Sequence, residues 1–208
     1  MDQDQDTVQS TLDAEALQDA EVLRDAVERA RELIRCGFQE PDEIAESLVE
    51  DLDDQGLTME EAERIVAPLW RERLEEQASW PDTTDVDRLE AAFDALEELG
   101  IVAAMDFTCC ANCGYAEIGG EAEEGSRGFV FFHQQDTERA ADGGALMLRY
   151  GGFQVDGEPT ESAVRRTAEV GREVVTALTA AGLPTEWDGS PETAIAVTPI
   201  SWLNRLPE

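Results

Sequence analysis

Apolar residues recur along this chain at two different periods, and the change of period divides it. Up to about residue 80 the spacing is three to four. Leu23, Val27, Ala30 and Ile34 fall at i, i+4, i+7 and i+11 and predict a helix from about Asp13 to Cys36, with Gly37 in the left-handed position that closes it. Ile44, Leu48 and Leu52 predict a second helix, opened by Pro41 and the acids Asp42 and Glu43 and ended by Gly56. Thr58-Met59-Glu60-Glu61 has the form of a capping box and opens a third. Its buried candidates are Ile65, Val66, Leu69, Trp70 and Leu74, and Pro68 inside it predicts a kink. Residues 1–10 have almost no apolar content and read as a disordered tail. The expected organisation is thus a tail over 1–10, an acidic helical segment over 11–80 and an α+β domain over 81–208, with Pro81-Asp82-Thr83-Thr84 as the linker.

Beyond residue 80, helical and strand periods alternate. Thr84 caps a helix carrying Val86, Leu89, Phe93 and Leu96, and Gly100 closes it. Ile101 to Phe107, Gly128 to His133 and Ala145 to Tyr150 read as strands, the last with Leu146, Leu148 and Tyr150 on one face and Met147 and Arg149 on the other. A helical turn is expected over 115–122, and a short helix capped around Asp136-Thr137-Glu138. A long helix follows from about Thr160 to Ala181, with Val164, Ala168, Gly171, Val175 and Leu178 as its stripe. Thr185 to Asp188 and Thr193 to Thr198 read as two more strands, and Trp202 to Pro207 as a tail that packs down. The expected class is α+β: a mostly antiparallel sheet of about five strands with two long helices on one face, preceded by the acidic helical segment.

Charge narrows the range of partners. The chain of 208 residues carries 48 acids against 15 basic residues, all arginine, for a net charge of −33. Such a field repels nucleic acid and anionic membrane surfaces, and suits a basic protein partner if it has one. No apolar run is long enough to span a bilayer, and the first thirty residues lack a secretory pattern. The expected compartment is the cytoplasm, where clustered cysteines bind metal or react more often than they form disulfides.

The chemistry concentrates in Phe107-Thr108-Cys109-Cys110-Ala111-Asn112-Cys113-Gly114, which holds three of the four cysteines. Cys110-Ala111-Asn112-Cys113-Gly114 has the shape of a metal knuckle: a two-residue gap lets both thiolates face one ion, and glycine lets backbone N–H groups turn toward sulfur. Zinc in a closed site needs four ligands, and Cys109, Cys110, Cys113 and the single histidine, His133, supply three sulfurs and a nitrogen. Cys36 is an alternative fourth ligand, but reads better as a small buried apolar residue. Two other readings use the same residues. Cys110 and Cys113 suit dithiol–disulfide cycling if a helix begins there. Cys109 or Cys110 activated by His133, with Asp136 orienting it, suits nucleophilic catalysis. Asp136 or Glu138 serves either as a partner to His133 or as a cap for the helix that follows.

Phe107-Thr108-Cys109-Cys110 with Cys113-Gly114, then Gly128-Phe129 leading to His133-Gln134-Gln135-Asp136-Thr137-Glu138, then Gly182-Leu183 before Glu186-Trp187-Asp188-Gly189, resembles an actinobacterial family catalogued only as a domain of unknown function. The resemblance covers most of residues 80–206. It implies no activity, ligand or partner. The expectation from the residues is a cytoplasmic, non-enzymatic protein with a structural zinc on Cys109, Cys110, Cys113 and His133, the ion fixing the loop after the first strand against the second. The rivals are a thiol redox protein or sensor using Cys110 and Cys113, and an interaction module acting through the acidic helices.

Overall fold

The structure, a computed structural model, describes residues 20–154, 157 and 159–207. The expected tail over 1–10 and the expected helix start at Asp13 lie outside the described residues. The chain divides into two compact units, one running up to Ser79 and including Arg205 onward, the other Trp80–Asn204.

The first unit is helical: α1 (20–36), α2 (Pro41–Asp51), a 3-10 turn over Asp53–Gln55 and α3 (Met59–Gln77). The capping box at Thr58 forms as expected, with the Glu61 amide donating to Thr58 Oγ1 (3.3 Å) and the Thr58 amide to Glu61 Oε2 (3.1 Å). The core is Val22, Ala26, Ala30, Ile34, Ile44, Leu48, Ala62 and Val66, with Leu206 joining from the C-terminal end. The stripe of α1 includes the expected Ala30 and Ile34, but its first half runs through Val22 and Ala26 rather than Leu23, which is exposed. Small alanines let helix backbones approach closely, so the packed face is the one with less apolar volume. Leu74 is likewise exposed, although it falls on the expected face of α3. Among the described residues, no helix is long and apolar enough to cross a membrane.

The second unit is α+β. In order it comprises α4 (Asp85–Glu98), β1 (Ile101–Ala104), α5 (Ala111–Glu117) running into a 3-10 turn (Ile118–Glu121), β2 (Gly128–Phe131), α6 (Gln134–Ala141), β3 (Leu146–Gly152), α7 (Thr160–Ala180), β4 (Thr185–Glu186) and β5 (Ile195–Val197). The five strands lie in the order β1-β2-β3-β5-β4. β1 runs parallel to β2, with Ile101 opposite Gly128, and the remaining pairings are antiparallel, so the sheet is mixed. The parallel pair follows from its connection: residues 105–127 hold α5 and are long enough for the crossover that a parallel pair needs.

Both faces of the sheet carry helices, where sequence suggested one. The reason lies in Phe129-Val130-Phe131-Phe132, which alternates large apolar groups onto both sides. On one face α7 lies close enough that a Cβ on Gly128 would meet Val170 Cγ2 at 2.6 Å, and one on Gly171 would meet Tyr150 Cε2 at 2.6 Å. The buried stripe of α7 is Val170, Gly171, Val174 and Leu178, while the expected Val164 is exposed. Phe93 of α4 and Trp202 both meet the ring of Phe132 edge-on at 6.0 Å. On the other face α5 lies against the aromatic side of β2. A Cβ on Gly114 would fall 2.4 Å from Phe131 Cε2, and the Tyr115 ring stands edge-on to Phe131 with centroids 5.3 Å apart. Gly114→Ala is therefore expected to lift α5 from the sheet and to destabilise this unit by about 1–3 kcal/mol, read as a lowered denaturant midpoint. An unchanged midpoint would mean that α5 is not seated on Phe131.

Candidate metal centre

The centre forms where β1 and β2 both end. β1 stops at Ala104, earlier than the expected Phe107, because the backbone turns left-handed at Asp106 (φ 51°) and again at Thr108 (φ 61°). A β-branched threonine in that region is a true outlier, and such positions gather at functional sites. The stem is tied to the chain beyond β2. The Phe107 amide donates to the Phe132 carbonyl (2.8 Å), and the Gln134 amide to the Thr108 carbonyl (3.1 Å). The Thr137 hydroxyl lies 2.5 Å from Asp106 Oδ1. Burial pushes the Asp106 carboxyl up to about 6, against the lowering effect of the Thr137 hydrogen bond.

An acid whose pKa is raised on folding favours the native state below its unfolded pKa and loses that contribution as pH rises through the folded value. Asp106→Asn keeps an acceptor for Thr137 without a charge to bury. It is expected to match the parent near pH 4 and to be more stable by about 1–3 kcal/mol at pH 8, checked by urea unfolding at both pH values. A pH-independent difference would count against a buried, titrating Asp106.

The cysteines follow the stem directly. Cys110 takes the N-cap position of α5 without a side-chain capping hydrogen bond. The backbone amides at this helix start, that of Cys113 first, hold the Cys110 thiol below its ordinary range. Cys113 is pushed up to about 11 by its hydrogen bonds to Cys109 and Cys110. The three ligand atoms of Cys109, Cys110 and Cys113 lie within 4.8 Å of one another, with the sulfurs of Cys109 and Cys113 3.6 Å apart. Cys109 is exposed and the other two half-buried. A tetrahedral zinc with Zn–S bonds of about 2.3 Å sets its sulfurs about 3.8 Å apart. A disulfide would need about 2 Å. Three cysteines close together in this way can hold a metal ion, and the arrangement does not specify which one.

His133 stands outside this sulfur group. It takes the N-cap position of α6 without a side-chain capping hydrogen bond, and its backbone amide donates to Oδ2 of Asp136, the third residue of that helix, at 3.5 Å. Asp136 thus fills both roles considered for it, cap and partner to the histidine. Asp136 Oδ2 lies 3.0 Å from His133 Nε2, and Oδ1 accepts from Arg139 Nη1 and Arg149 Nη2, both at 3.3 Å. The side chain of Asp136 is fully buried, and that of His133 only 4% exposed. Burial lowers the His133 pKa more than the Asp136 carboxylate raises it, which favours a neutral ring. Nε2 also lies 3.4 Å from Arg149 Nη2, which can only donate, but the carboxylate is nearer, at 3.0 Å, and favours the ring proton on Nε2. Nδ1 then keeps a lone pair, and among the described residues it has no hydrogen-bond partner. Cys36 is buried in α1 and is not in the sulfur group.

Arg149, Asp106 and Thr137 were not singled out as site residues from sequence. Arg149 had a visible signal: it is the charged residue on the face of β3 opposite Leu146, Leu148 and Tyr150, where it had to find a carboxylate.

A family model described as a domain of unknown function, DUF6891, matches residues 19–206. No curated protein and no solved structure matches the chain.

Proposed function

We propose that this chain, which belongs to the DUF6891 family, is a zinc-binding protein whose ion is held as thiolates by Cys109, Cys110 and Cys113. The observation that carries the reading is the sulfur geometry: three thiols within 4.8 Å, one edge at 3.6 Å, close to a tetrahedral zinc edge and far from a disulfide. Soft thiolates select zinc or copper(I) over magnesium or calcium. The amides aimed at Cys110 support a thiolate there before any ion arrives. The role is structural and non-enzymatic, and more local than the sequence suggested. All three cysteines come from five consecutive residues, so the ion organises the loop and the first turn of α5. The stem is joined to the end of β2 by backbone bonds of its own.

Zinc binding must displace the Cys113 proton, which sits near 11 without the ion. Apparent affinity is therefore expected to rise steeply between pH 6 and pH 8.5, with protons released on binding. Competition against a chromophoric chelator across that range tests it. A flat pH profile would mean that the thiols are not the ligands.

One observation favours a second reading. Cys110 is lowered while Cys113 is raised, the asymmetry of a dithiol pair in which one sulfur attacks and the other resolves. In that reading a defined reduction potential belongs to Cys110 and Cys113, and the purified chain carries no metal.

A further inference from the structure

We propose that His133 completes the zinc site through Nδ1, and that Asp136 is the outer carboxylate that holds the ring for it. This rests on reading Cys109, Cys110 and Cys113 as a zinc site.

Three observations converge. First, Nδ1 of His133 is a buried polar atom without a partner among the described residues, and a polar atom left unpaired in an interior calls for a ligand. Second, the other ring nitrogen lies 3.0 Å from a carboxylate, nearer than Arg149 Nη2 at 3.4 Å. Metal-binding histidines almost always donate their second ring N–H to such a group, which fixes the tautomer and raises the basicity of the ligating nitrogen. Third, the ring and the sulfurs share one end of the sheet. The Thr108 carbonyl accepts from Gln134, so the residues before Cys109 and after His133 are joined by a main-chain bond.

Asp136 does more than cap α6. Its Oδ2 serves the histidine, while Oδ1 is held by Arg139 and Arg149. Two guanidinium groups offset the burial of the carboxylate and leave the other oxygen aimed at Nε2. Because Nε2 stays on Asp136, the ring need not turn over to bind an ion at Nδ1.

His133 is outside the sulfur group, so zinc uptake must draw the Cys109 loop toward it.

The test uses the full chain loaded with zinc for X-ray absorption and with cobalt(II) for visible absorption. The parent is expected to give three sulfurs and one nitrogen. His133→Ala should replace the nitrogen by oxygen and weaken binding. Asp136→Asn should keep the ligand set and lower affinity about 10–100-fold. His133→Gln, which keeps a polar cap for α6, guards against a folding defect and should give the same nitrogen-to-oxygen change. A parent spectrum of three sulfurs and one oxygen, unchanged by His133→Ala, would overturn this inference and leave the three-cysteine site standing. No zinc or cobalt bound by the parent would overturn the metal reading itself.

Discussion

Cys113→Ser is expected to lower zinc affinity by about a hundredfold or more, measured against a chelator of known affinity. Changes in the outer shell of a metal site already cost tenfold to a hundredfold, and this one removes an ion-binding sulfur. Cys113 is the central member of the cluster: its amide supports the Cys110 thiolate and its sulfur lies 3.6 Å from Cys109. The rest of the unit should remain folded, because its core includes Leu89, Leu96, Val130, Leu148 and Leu178, all buried. The expected signature is thus loss of metal with circular dichroism largely retained. Cys36→Ser, in the other unit, should leave affinity unchanged. If Cys113→Ser held zinc as tightly as the parent, the three-thiolate centre would be wrong. If the parent held no metal, and the variant lost only the ability to form an intramolecular disulfide, the redox reading would take its place.

Phe131→Ala is expected to cost about 3–5 kcal/mol of stability in the second unit and to weaken zinc binding as well. The Phe131 ring is completely buried and meets Phe107 edge-on at 6.0 Å, Tyr115 edge-on at 5.3 Å and Phe129 stacked at 6.0 Å. It is also the surface on which Gly114, the residue after Cys113, rests. Truncating it opens a cavity beneath α5 and removes contacts from both sides of the cysteine loop. Phe93→Ala makes the useful comparison, since Phe93 meets Phe132 and lies on α4. It should destabilise the unit with a smaller effect on metal affinity. Equal effects of the two variants on affinity would mean that Phe131 acts only through global stability.

The helices could be read from sequence because their signals are local. Thr58 with Glu61 and Thr84 with Asp87 close the capping boxes that their spacing implies. The choice of buried face was less legible. Leu23 is larger than Val22 and Ala26, which pack in its place, while on α7 the expected Gly171 and Leu178 are buried and Val164, near the start of the helix, is exposed. The parallel pairing of β1 with β2 has no signature in two short apolar runs, since it depends on where the connection through α5 crosses. At the site, the three cysteines were legible because five residues of chain keep them together. His133 was expected from its place after an apolar strand. The structure turns it toward Asp136, a contact set by the start of α6 rather than by the strand. Arg149 was visible only as a charge on a half-buried strand, and its carboxylate partner lies thirteen residues earlier.

The central claim is tested most directly by measuring metal content and accessible thiols on one purified, untagged sample. The account predicts about one zinc per chain, with Cys109, Cys110 and Cys113 protected from a thiol reagent until a chelator is added. A sample without metal, in which the same three thiols react at once, would contradict it.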